Sequence, residues 1–137
     1  MRAMIPALAA LIAATAACGE EPLFGQWIAI SAAENGAAAD DLVGQRLTFD
    51  GNAFRIVDTE GEVVSSGTFV IDPAAEPATI DFTVTTGPGA EWAGIWKRDG
   101  SLLTIVENAP DPTRPRPDAF AAPADSGYAM IVLTPWE

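Results

Sequence analysis

The chain has 137 residues, with 19 Asp and Glu against 7 Lys and Arg, a net charge of −12, one cysteine and no histidine. That composition excludes Ser-His and Cys-His catalysis, histidine metal sites and any disulfide within the chain. It also argues against nucleic acid as a partner, because phosphate-rich polymers need clustered Lys and Arg, and here the cations are scattered.

The first element is an uncharged run from Ile5 to Ala17, preceded by Arg2 and followed by Cys18. It is too short to span a bilayer, which takes about 20 apolar residues. A positive start, an apolar middle and a small-residue cleavage site make a signal peptide. Ala16-Ala17-Cys18 resembles the box of a bacterial lipoprotein, with Thr15 where leucine is usual. On this reading residues 1–17 are removed and the Cys18 thiol is acylated. Ordinary secretory cleavage after Ala14-Thr15-Ala16 is the alternative, and it leaves a free thiol in an oxidising compartment. The expected location is extracytoplasmic, membrane-anchored through lipid on the outer membrane or periplasmic face. Residues 18–23 read as a short tether and 24–137 as one domain. Beyond Cys18 there are 6 basic and 19 acidic residues, a net of −13. The carboxylates are spread singly or in pairs, as on a solvated surface, and lack the spacing of a calcium loop.

The rest of the chain alternates short apolar runs with turn signals, the pattern of an all-β protein. Strands are expected at 26–31, 46–49, 53–58, 62–71, 79–85, 91–98, 102–106 and 128–134. Asp50-Gly51-Asn52 and Asp99-Gly100 mark tight hairpins. In the fifth run Ile80, Phe82 and Val84 alternate with Thr79, Asp81 and Thr83, as in a half-buried strand. The alanine-rich stretch 32–41 reads as a loop with at most one helical turn. Residues 107–127 hold five prolines and no periodicity. Residues 110–117 are expected to fold back over the domain as an ordered flap, because proline restricts φ and lowers the entropy cost of ordering.

Eight strands in sequence-adjacent hairpins predict a single up-and-down antiparallel barrel, since closure removes exposed edges. An open two-sheet sandwich of the same strands is the runner-up.

Four segments carry a family resemblance. Leu23-Phe24-Gly25-Gln26-Trp27 has the form L-x-G-x-W, and residues 44–52 read G-x-x-L-T-F-x-G-N. Gly67-Thr68-Phe69 leads to Ile71-Asp72-Pro73 and then to Ala78-Thr79-Ile80-Asp81-Phe82. Pro115-Arg116-Pro117 leads to Asp118-Ala119-Phe120, where the family has Thr-Glu at the two middle positions. The ordered set resembles the TIGR03067 domain, a lipocalin-like β-barrel domain of planctomycete bacteria, from Leu23 to the C-terminus. The resemblance implies a lipocalin-like fold and no assigned reaction. It implies that Gly25 and Trp27 close one end of the barrel. By similarity to the Arg–Trp contact of lipocalins, it puts Arg116 on the Trp27 ring.

Read from the residues alone, Trp27 is a core plug. Trp92, Gly94 and Trp96 share one strand face. Trp92 and Trp96 are therefore candidate ligand-lining residues, with Gly94 leaving room between the rings; packing against neighbouring strands is the plainer alternative. No residue set carries a reaction, so no catalytic residue, cofactor or metal is expected. Two functions are weighed: a barrel binding a small apolar ligand, and a tethered structural or protein-interaction module with a filled core.

Overall fold

The computed structural model describes residues 23–86 and 89–136. Residues 1–17, read above as a signal peptide, and Cys18 lie outside the described residues. Nine strands follow one another: β1 (Gly25–Glu34), β2 (Ala37–Ala38), β3 (Arg46–Asp50), β4 (Ala53–Val57), β5 (Val63–Asp72), β6 (Thr79–Val84), β7 (Ala90–Asp99), β8 (Leu102–Glu107) and β9 (Ala129–Pro135). One 3-10 turn, Asp40–Leu42, lies between β2 and β3.

Every pairing is antiparallel, and β1 pairs with both β3 and β9. β1 and β3 to β9 therefore form a closed eight-stranded barrel, with β2 outside the ring against β1. The hairpin turns expected at Asp50-Gly51-Asn52 and Asp99-Gly100 are in place, with Gly51 and Gly100 at positive φ.

The 32–41 stretch is not a simple loop. β1 continues through it to Glu34, and Asn35-Gly36 turns the chain into β2 with φ of 52° and 83°. Asn and Gly tolerate that region, which a two-residue hairpin of the primed type demands. A bulge between Ala29 and Ser31 hides the strand in the sequence. Before it Trp27 and Ala29 face the core; after it Ala32 pairs with the inward Ile131 and Glu34 with Ala129, so the inward parity has changed.

The core is the barrel interior. Phe49, Phe54, Phe69 and Phe82 are buried there with Leu47, Ile80, Leu103, Ile105 and Leu133. The rings are in direct contact: Phe49–Phe69 at 4.6 Å, Phe54–Phe82 at 5.0 Å and Phe82–Trp92 at 5.8 Å between centroids. Tilted and edge-on pairs of this kind contribute about 0.5–1.5 kcal/mol each beyond their buried area.

A second layer covers part of the outside. Ile95 and Val106 point away from the core, yet they are 1% and 0% exposed. The proline-rich segment between β8 and β9 crosses this face. Asn108 Oδ1 accepts from the Ala93 amide, and its Nδ2 donates to the Arg114 carbonyl. Arg116 donates to the carbonyls of Ile80 and Gly94 at 3.2 and 2.9 Å and pairs with Asp81 at 2.7 Å. The Lys97 ammonium sits 4.6 Å over the Phe120 ring, and Pro117 is fully buried. The segment is thus a flap strapped across β6 and β7.

Candidate functional site

One end of the barrel is sealed. Trp27 is 3% exposed and its Nε1 donates to the Leu23 carbonyl at 3.0 Å. Leu23, expected in the tether, is itself buried and belongs to the core. The cation over the Trp27 ring is Arg98, at 4.9 Å. Arg116, expected in that role, is spent on the flap. The reason lies in strand alternation: Arg98 is two residues beyond the inward Trp96 on β7, and that carries its guanidinium to the sealed end.

Trp92 and Trp96 face inward, but neither lines the interior cavity. Trp92 is half-buried and packs on Phe54 and Phe82. Trp96 is buried, and its Nε1 donates to the Thr79 carbonyl at 3.0 Å. Gly94, between them in sequence, lies against β8. A Cβ there would lie 2.5 Å from the Val106 carbonyl oxygen and 3.2 Å from the Glu107 Cβ. Its smallness serves the close approach of β8.

The cavity itself measures about 30 Å³ and is lined mainly by apolar side chains, among them Ala29, Leu47, Ile105, Ile131 and Leu133, with Gln45 and Arg46 also in its wall. One water occupies at least about 10–15 Å³ on this measure, and an apolar cavity of about 150 Å³ is what holds a benzene. The space suits one or two waters and no organic ligand.

Glu107 is among the residues lining this cavity and is 6% exposed. It forms no side-chain hydrogen bond or ion pair among the described residues. Glu107 and Glu34 both pair with Ala129, from opposite sides, on the inner face. Burial pushes the Glu107 carboxyl up from 4.5 to about 7, and the charge of Glu34 adds to the rise. The strand expected at 102–106 stopped one residue short of this group. Continuing the alternation of Leu103 and Ile105 places Glu107 inside.

Among the described residues no three Asp, Glu, Cys or His side chains gather as a metal site. Searches against protein-family models, curated proteins and solved structures find no match to this chain.

Proposed function

We propose that this chain is an extracytoplasmic domain anchored through a lipidated Cys18, and that it acts through the outer surface of a filled barrel as a tethered interaction module. The observation that supports this reading is the interior, where four phenylalanines and two tryptophans leave only about 30 Å³. An eight-stranded barrel either fills itself with side chains or holds one small ligand, and this one is filled. The lipocalin-like family resemblance fits the architecture without requiring a ligand inside it. The anchor rests on the uncharged run before Cys18.

Two measurements test the two halves of the reading. Cys18→Ser should move the protein from the membrane to the soluble extracytoplasmic fraction; a soluble wild type without acyl mass removes the anchor. Native mass spectrometry of protein from its own host should show no co-purifying small apolar mass. A stoichiometric apolar adduct that shifts tryptophan emission would restore the binding-barrel reading.

A further inference from the structure

Two grooves on the outer surface each hold a pair of arginines, and their electrostatics differ. In the groove beside the flap, of about 430 Å³, Arg114 and Arg116 are both neutralised within the chain. Arg114 pairs with Asp111 at 3.2 Å and Arg116 with Asp81 at 2.7 Å. The other groove, of about 280 Å³, is lined by Gln26, Arg46, Thr48, Arg55, Val57, Gly61 and Trp136. Among the described residues no carboxylate lines it, although acidic residues outnumber basic ones 19 to 7 in the chain. Among the described residues neither Arg46 nor Arg55 makes an ion pair.

The β3–β4 hairpin creates this pair. Thr48 lies opposite Arg55, and Arg46 lies opposite Val57, so the two arginines are diagonal neighbours on the outer face. Diagonal positions lie about 7–8 Å apart, within reach of long side chains, and like charges so placed repel. Acidic side chains stand close by, on the β4–β5 turn and at Asp50, the other diagonal neighbour of Arg55 on the outer face, but among the described residues none is within ion-pair distance of either arginine. The Asp58 carboxylate accepts the amides of Glu60 and Glu62, and those two side chains are exposed and make no ion pair.

Arg46 is also held in place. Its guanidinium sits 4.5 Å over the Trp136 ring, and the Trp136 amide donates to the Gln26 carbonyl at 2.9 Å. A guanidinium held over a ring makes no hydrogen bond to it through its N–H groups, which can bind a carboxylate or phosphate through two parallel hydrogen bonds. Gln26 and Thr48 add neutral donors to the same wall.

We propose that this groove is a binding site for a small ligand bearing an oxyanion, carboxylate or phosphate, clamped between Arg46 and Arg55. The proposal rests on the reading that the domain works through its outer surface, and it names the chemistry that surface recognises.

Isothermal titration of the purified protein with inorganic phosphate, and separately with succinate, tests it, with sodium chloride at matched ionic strength as the blank. Saturable binding of at least one probe is expected, and the tighter one identifies the oxyanion. Arg46→Gln and Arg55→Gln should each weaken that binding by about tenfold or more, the scale of one charge-assisted contact. Both side chains are on the outer face, so both variants should fold; Arg55→Gln should unfold as the wild type does, and Arg46→Gln at a slightly lower midpoint because it loses the Trp136 contact. Arg114→Gln, in the neutralised groove, should leave binding unchanged. No saturable binding by either probe overturns the site, as does binding that survives both substitutions. Glu137, the neighbour of Trp136, lies outside the described residues. Binding that develops only in Glu137→Gln would make the chain its own occupant and overturn the proposal. An apolar adduct in the barrel would instead defeat the filled-barrel reading, and the oxyanion titration is blind to that outcome.

Discussion

The two ends of the barrel interior solve the same problem in opposite ways. At one end Trp27 is buried, hydrogen-bonded to Leu23 and covered by Arg98, so every polar atom of the ring has a partner. At the other, the Glu107 carboxyl is buried without one, with Glu34 beside it as a second negative charge. The first end should give most of its energy to stability at any pH. The second should make stability depend on pH, because an ionised carboxylate in an apolar wall costs free energy that its protonated form does not.

The largest effect is expected at the sealed end. Trp27→Ala should lower unfolding stability by roughly 3–5 kcal/mol in a urea titration, as large-to-small core changes do. A loss below about 1 kcal/mol, typical of surface positions, would mean that the ring seals nothing.

The carboxylate end comes next. Unfolded, Glu107 ionises near 4.5; folded, near 7, so the native state holds the extra proton between those values. Stability should therefore fall as pH rises from about 4.5 to 7 and level off above, by on the order of 3 kcal/mol in all. Glu107→Leu should abolish this slope and be the more stable protein at pH 8. Equal pH profiles for the two would show that the carboxyl finds water or a cation in the folded state, and the contrast between the ends would collapse.

Two smaller changes sharpen the comparison. Arg98→Met removes the cation over Trp27 and should cost about 0.5–1 kcal/mol, the range for exposed cation–ring contacts. It should do so equally at pH 5 and pH 8. Glu34→Gln should move the midpoint of the Glu107 profile downward by less than about one pH unit, because burial is the larger cause and the neighbouring charge the lesser. If Glu34→Gln erased the slope altogether, repulsion between carboxylates would govern this end and desolvation would not.

Much of the barrel is legible in the sequence. The hairpin turns at Asp50-Gly51-Asn52 and Asp99-Gly100 require residues that accept positive φ, and strict alternation on β6 names its buried face. Where the reading failed, a physical reason can be named. The β1 bulge breaks the two-residue period at Ala29, so the strand beyond it looks like an alanine-rich loop, and Glu34 is lost with it. Asn35-Gly36 suits a tight turn, but the strand that follows it is only two residues long and leaves no alternation to read. Arg116 sits among prolines, and nothing in that segment's composition tells which face of the barrel it crosses. Three backbone and side-chain acceptors decide the matter, and they come from strands far away in the chain. The outer groove was equally hidden, because Arg46 and Arg55 become neighbours only through the β3–β4 register.

The seam between β1 and β9 also bears on how the molecule is made. Trp27 lies opposite Pro135 and Glu34 opposite Ala129, so the first strand is completed only by the last. Contacts this distant along the chain make folding slow, in the millisecond-to-second range for β-rich domains. During synthesis, β1 and β8 are bare edges until residues 129–135 emerge, and bare edges recruit other chains. The high negative charge is then an advantage of timing as much as of solubility, since it keeps nascent copies apart until the ring can close.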